Sequence, residues 1–146
     1  MPQQCRHRER RTVAYFSSSD EVYKYIGGAF RLADTHPEAG PKLRGANVTV
    51  RVDYTNPKAS LTIRLVEPAI EVLEGEDVEV KPDIRLSMSA DNGNKFWRGE
   101  YNAVAGLAKG EAKARGPVSK VLKLLPAAKP LFPLYKQLVA EKDAAV

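Results

Sequence analysis

Two histidines, His7 and His36, and one cysteine, Cys5, are all that the chain offers for acid–base transfer near neutral pH, imidazole ligation or thiolate attack. His7 sits inside the arginine-rich stretch Arg6 to Arg11 and His36 stands beside Pro37, positions that suggest neither a catalytic dyad nor a histidine metal site. A single cysteine rules out an internal disulfide and a thiolate cage within one chain, so Cys5 reads as a free, incidental thiol. Ser87 and Ser89 alternate with apolar residues on one strand and have no histidine or lysine next to them, so they read as structural hydroxyls. The acidic run Glu71 to Glu79 straddles a turn and lacks the ligand spacing of a calcium loop. Gly106 and Gly110 bracket Leu107-Ala108-Lys109, but no Gly-Lys-Ser/Thr ending follows, which excludes a phosphate-binding loop of that type. The residues therefore call for no cofactor and no metal. They point to a protein that is not an enzyme.

What the chain does supply is apolar surface in short pieces. Phe96-Trp97 is followed by a small-residue segment and then by the lysine-spaced tail PVSKVLKLLPAAKPLFPLYKQLVA. Short apolar elements broken by prolines easily leave a space between them, which points to a pocket rather than to a reaction centre.

The elements that must position these residues follow from periodicity. Ser18-Ser19-Asp20-Glu21 fits a capping box, so a helix is expected to start there with Val22, Ile26, Ala29, Phe30 and Ala33 on one face and to end at Pro37. Gly27-Gly28 within it implies either a bend or a close neighbour. Val48, Val50, Val52 and Tyr54 alternate with polar residues, and after the turn Thr55-Asn56-Pro57-Lys58 so do Leu61, Ile63 and Leu65; this is an antiparallel hairpin. Ile70 and Val72, followed by Val78 and Val80 across the acidic turn, form a second expected hairpin, and Ile84, Leu86 and Met88 a further strand. Asp91 or Asn92 can cap a short helix through Phe96-Trp97, and Asn102 another that Gly110 ends. Glu111 to Arg115 has helical propensity but is bracketed too closely by Gly110 and Gly116 for a stable helix. Pro117 opens a helix with Val118, Val121, Leu122 and Leu125 on its face, Pro126 is expected to stop it, and Pro130 begins a last helix. The order predicts one α+β domain, a five-stranded, mainly antiparallel sheet with helices on one face. Its expected bounds are 18–141, after a basic arm at 1–17 and before a short tail at 142–146.

Charge is uneven. Residues 1–66 hold eleven basic and six acidic side chains, residues 67–91 two and eight, and residues 92–146 ten and four. An acidic middle between two basic ends is not the single basic face of a nucleic-acid binder, so no nucleic-acid partner is expected. No apolar run reaches the ~20 residues of a membrane-spanning helix, and no apolar core follows the basic N-terminus as in a signal peptide, which makes the cytoplasm the expected location.

The segments DIRLSMSAD, FWRGEYN and AVAGLAKGEAKARG, followed by a leucine-rich helix, resemble the sterol carrier protein domain of the second type, a small lipid-binding and lipid-transfer family. The resemblance is clearest from Asp83 to Leu125 and extends over Ser19 to Val139. It implies helices covering a five-stranded sheet, with an apolar tunnel between them that takes fatty acids, fatty acyl-CoA esters, sterols or phospholipids with broad selectivity. In the last strand this chain has Ala112 and Ala114 where members usually carry larger apolar residues, and Glu111 follows Gly110 where lysine is usual. The domain also occurs in peroxisomal enzymes, but Ala144-Ala145-Val146 is not a peroxisomal address.

The expected ligand-binding residues are Met88, Phe96, Trp97, Val104, Leu107, Val121, Leu122, Leu125, Leu131, Phe132, Leu134, Tyr135 and Leu138, with Arg98, Lys120 and Lys123 as candidate headgroup contacts. The function expected is non-enzymatic binding and intracellular transfer of a hydrophobic ligand, with transient contact at an anionic membrane surface. The competing readings are a small enzyme acting on a lipid or steroid-like substrate, and a binder of anionic membranes or nucleic acid.

Overall fold

The computed structural model describes residues 15–144; the arginine-rich stretch, His7 and Cys5 lie outside them. Helix α1 (Ser19–Thr35) starts where the Ser18 hydroxyl accepts the Glu21 N–H at 3.4 Å. The Glu21 carboxylate reaches back to the Ser17 N–H at 2.7 Å, one residue earlier than a capping box requires. Helix α1 runs without interruption through Gly27-Gly28. A Cβ on Gly28 would meet Leu138 Cδ2 at 2.8 Å, so the glycine admits a side chain of another helix. Within the stretch expected to be an arm, Phe16 is buried and stacks on Tyr25 at 6.0 Å between ring centroids.

A short helix that periodicity did not reveal, α2 (Ala39–Arg44), follows. Arg44 Nη1 donates to the Asp34 carboxylate at 3.0 Å and its Nε to Glu67 at 3.0 Å, pinning α2 to the end of α1.

The sheet comprises β1 (Val48–Thr55), β2 (Ala59–Leu65), β3 (Glu71–Glu74), β4 (Ile84–Ser89) and β5 (Lys113–Arg115) in the order β3-β2-β1-β4-β5. It is mixed, not mainly antiparallel. β1 pairs antiparallel with β2 but parallel with β4, Val52 lying opposite Leu86. Parallel and antiparallel strands share the same period of two, so the alternation of β1 and β4 carried no sign of the pairing direction.

The expected second hairpin does not form. β3 pairs with β2, while Val78 and Val80 are unpaired because residues 75–83 carry the chain from the β3 edge to the far side of β1, where β4 enters. Of the segment Glu111 to Arg115, Lys113–Arg115 form strand: Ala114 pairs with Leu86, making β5 the opposite edge.

Helices α3 (Ala90–Trp97) and α4 (Ala103–Lys109) follow β4; Ser89 caps α3 by accepting the Asn92 N–H at 3.1 Å, and Asn102 caps α4 by accepting the Ala105 N–H at 3.0 Å. The cap of α3 is thus neither Asp91 nor Asn92. Helix α5 (Val118–Ala128) runs through Pro126, the expected stop, into a 3₁₀ turn at Lys129–Leu131, and α6 (Phe132–Ala144) closes the fold. Pro126 lies in the last turn of α5, and the Lys129 N–H donates to the Pro126 carbonyl as the chain tightens into the turn that follows. Residues 142–144, expected as tail, belong to α6, where Lys142 pairs with Glu21 at 2.9 Å.

Register puts Val48, Val50, Val52 and Tyr54 on the same sheet face as Leu65, Ile63, Leu61 and Ala59, all buried under the helices. Arg51, Asp53, Ser60 and Thr62 occupy the other face. No helix among the described residues is long and apolar enough to cross a membrane.

Candidate functional site: an apolar cavity under the helices

The buried sheet face does not meet the helices everywhere. A cavity of about 150 Å³ lies between Val50, Val52 and Tyr54 of β1, Ile63 and Leu65 of β2, Leu86 and Met88 of β4, and a roof of helices. The roof consists of Phe30 of α1 and Leu43 of α2, Gly93, Phe96 and Trp97 of α3, Ala103 and Leu107 of α4, and Val121, Leu122, Leu124, Leu125 and Ala128 of α5, with Tyr101 and Ala112 closing the sides. What is shown among the described residues is a cavity, not a continuous tunnel.

Every side chain on this wall is uncharged. Trp97, only 4% exposed, is wedged by edge-on contacts with Phe30 at 5.1 Å and Phe96 at 5.3 Å. This geometry stabilises an aromatic corner beyond simple burial. Desolvation drives the Tyr54 hydroxyl pKa far above the ordinary phenol value, so Tyr54 is neutral across the physiological range. At the side, Tyr101 donates to Glu111 at 3.2 Å. Among the described residues no group of three His, Cys, Asp or Glu side chains converges to hold a metal ion. The arrangement offers apolar contact almost throughout, which suits a greasy ligand.

The expected ligand-binding residues divide by position. Met88, Phe96, Trp97, Leu107, Val121, Leu122 and Leu125 lie on the cavity wall. Val104 is 56% exposed and faces solvent from α4. Leu131 and Tyr135 are fully buried in the core, where the Tyr135 hydroxyl donates to Asn94 Oδ1 at 2.8 Å. Phe132 touches the outer side of the aromatic corner, 5.7 Å from Phe96, and Leu134 and Leu138 pack half-buried on the core. The reason is that α6 packs on α1 and α3 rather than over the cavity. Of the candidate headgroup contacts, Lys120 and Lys123 are exposed on α5. Arg98 is committed elsewhere, its guanidinium donating to the Tyr15 hydroxyl at 2.9 Å, to Asp143 at 3.2 Å and to Asn94 at 3.2 Å.

The floor of the cavity was missed as a site. The alternation of β1, β2 and β4 marks Val50, Val52, Ile63, Leu65 and Leu86 as buried, but burial against a void and burial against a side chain leave the same pattern. Ala112, whose small side chain stands where larger apolar residues are usual, lies on the wall.

A model of the SCP-2 sterol transfer family matches residues 30–129, more than half of the chain. The chain belongs to the SCP-2 sterol transfer family. Solved structures agree in fold. Sterol Carrier Protein 2 from Yarrowia lipolytica, in its apo form, is 20% identical with a TM-score of 0.57, over 75% of this chain and 91% of that one. The sterol carrier protein domain 2 of Helicoverpa armigera is 18% identical with a TM-score of 0.63, over 77% and 89%. A ubiquinone synthesis protein described as UbiJ-SCP2 is 20% identical with a TM-score of 0.55, over 73% and 89%. No curated protein matches the chain. Membership of the SCP-2 family makes lipid binding and transfer the general activity of this fold, and in these SCP-2 relatives the same sheet and helices recur.

Proposed function

We propose that the protein is a non-enzymatic carrier that takes up a hydrophobic ligand in the cavity beneath α3, α4 and α5 and transfers it inside the cell, with the cytoplasm as its location. The observation that carries this reading is an uncharged, aromatic-cornered cavity in a domain of a lipid-transfer family. Fatty acids, fatty acyl-CoA esters, sterols and phospholipids are the ligand classes, and Met88, Phe96, Trp97, Leu107, Val121, Leu122 and Leu125 make the contacts.

The energetics suffice without a polar anchor. Burying about a dozen methylenes at ~0.8 kcal/mol each yields roughly 10 kcal/mol before ordering and association costs. Micromolar affinity needs about 8 kcal/mol. A force that is not directional discriminates poorly between chains of similar length, hence broad selectivity. At about 150 Å³ the cavity matches a single aromatic ring rather than a long acyl chain, so loading requires part of its wall to move outward.

The experiment is mass spectrometry of lipid extracted from the purified protein, followed by titration of the delipidated chain with a fluorescent fatty acid and a fluorescent sterol. One lipid retained or bound per chain is expected. A chain that carries none and binds neither probe overturns the proposal.

A further inference from the structure

The cavity wall carries two phenol hydroxyls, and only one of them is engaged. Tyr101 donates to Glu111, whereas the Tyr54 hydroxyl has no hydrogen-bond partner among the described residues and burial alone keeps it protonated. Tyr54 is only 3% exposed. A buried hydroxyl without a partner destabilises a fold, and folded proteins keep few of them.

Position fixes where this hydroxyl opens. The register of β1 puts the Tyr54 side chain on the helix-facing side of the sheet with Val50 and Val52. A Cβ on Gly93 would meet Tyr54 Cε1 at 2.9 Å, so the hydroxyl end of the ring lies against α3, beside a residue of the same wall. Among the described residues Thr62 Oγ1 is the one fully enclosed side-chain oxygen or nitrogen without a partner. The Tyr54 oxygen, equally unpartnered, is therefore not fully enclosed, and the space that its side chain borders on this side of the sheet is the cavity. No cation accompanies it, since every side chain of the wall is uncharged. An ordered internal water takes about three polar partners, which a wall otherwise built of carbon does not supply.

We infer that Tyr54 selects the ligand: its hydroxyl donates to a neutral oxygen of the bound molecule, which makes the ligand an oxygenated neutral lipid, a ketone, ester or alcohol whose oxygen enters the cavity. This rests on the carrier reading and narrows its ligand class. An ionised carboxylate or phosphate is excluded from the same position, because an anion against an uncharged wall finds no counter-charge to offset its lost hydration. A fatty acid then binds tail first, with its carboxylate outside. One hydrogen bond adds little affinity beside the burial of a hydrocarbon chain, but a ligand without the oxygen leaves the phenol unpaired, so the hydroxyl acts on selectivity.

The test uses probes of the cavity's size: acetophenone, the similarly shaped ethylbenzene, and benzoate, titrated by ligand-observed NMR into the delipidated full chain and into Tyr54→Phe. The wild type binds the first two and binds benzoate at least tenfold more weakly than acetophenone. Tyr54→Phe lowers the ratio of acetophenone to ethylbenzene affinity about three- to tenfold, the contribution of one neutral hydrogen bond. It also raises the urea midpoint of the unliganded protein, because the unpaired hydroxyl is gone; a phenol serving the fold would lower it on removal. An unaltered ratio, a lower midpoint, benzoate bound as well as acetophenone, or acetophenone not bound at all overturns the inference. Loading of a fluorescent sterol, run in parallel, separates it from the carrier reading. A chain that loads the sterol with an unaltered probe ratio keeps the carrier and loses the role of Tyr54, whereas one that shows the ratio but loads no lipid keeps Tyr54 and loses the carrier.

Discussion

The Tyr101 hydroxyl occupies the space that a side chain on Gly106 would fill: a Cβ built there would lie 1.9 Å from it. Because Tyr101 also lines the cavity and donates to Glu111, this one contact fastens α4 to the segment between α3 and α4 and closes one side of the ligand space. Gly106 is buried, although its helix is otherwise largely exposed, because the tyrosine lies across it.

Gly106→Ala is therefore expected to push the Tyr101 ring aside. Overpacking of this kind costs about 1–3 kcal/mol, read as a lower urea midpoint. Adding Tyr101→Ala removes the clash, so the double variant should recover part of the loss. A Gly106→Ala protein stabilised by about 1 kcal/mol, the gain of alanine over glycine in a helix, would show that Tyr101 is not held there.

Trp97 is the only tryptophan, and it is buried on the cavity wall. Its emission should shift or quench when a long-chain fatty acid is titrated into delipidated protein, saturating near one ligand per chain. Binding shown by a second method without any change in emission would place the ligand away from α3.

Leu125 and Leu134 separate the cavity from the core. Leu125 lines the cavity, whereas Leu134 packs half-buried on the outer side of the core. Leu125→Arg should stay folded by far-UV circular dichroism and bind lipid at least tenfold more weakly, since a charge in the cavity demands hydration. Leu134→Arg can lift its guanidinium into water along its own stem. It should lose stability but retain affinity. The reverse pattern in a fluorescent-lipid titration would move the site toward α6.

Ala112 is buried beside the cavity, so a larger residue there fills ligand space. Ala112→Leu should weaken binding of a long-chain ligand more than that of a short-chain one, with stability unchanged or raised. An equal loss for both lengths, measured by competition, would mean that the substitution distorts β5 and leaves the cavity volume irrelevant.

The ends of the described fold are joined by charge, which sets a pH dependence. The Asp143 carboxyl is held below the usual range by the hydrogen bond from Tyr15 and by Arg98, and that of Glu21 by the Ser17 N–H and by Lys142. Both are carboxyls whose folded pKa is lowered, so their stabilisation is present at neutral pH and is lost as pH falls below about 4. Tyr15 is shifted the other way, to about 12, by burial and by its hydrogen bond to Asp143. Its stabilisation is intact below the ordinary tyrosine pKa of about 10 and is lost as pH rises through the folded value. Urea midpoints should thus fall at both extremes, and Asp143→Asn should flatten both arms. Because Asp143 is 45% exposed, the effect is modest. Midpoints with the same pH slopes in Asp143→Asn and wild type would assign the dependence to other groups.

Local order was legible in the residues alone. The helix begun at Ser18, the strands of Val48–Tyr54, Leu61–Leu65 and Ile84–Met88, and the short helices around Phe96-Trp97 and after Asn102 all depend on neighbours within a few positions. So did the motif from Asp83 to Gly116 that resembled the lipid carriers, and the family match over residues 30–129 agrees with it. Partner choice across long separations was not legible. The parallel pairing of β1 with β4 depends on where residues 75–83 carry the chain, and a period of two is blind to it. In the same way the apolar stripe of α6 reads like that of α5, yet Tyr135 and Val139 fill the core while Val121 and Leu125 border a void. A hydrophobic side chain is driven out of water equally in both places; only the packing of α6 on α1 and α3, and its absence above Val50 and Val52, decides which apolar face is left with room for a ligand.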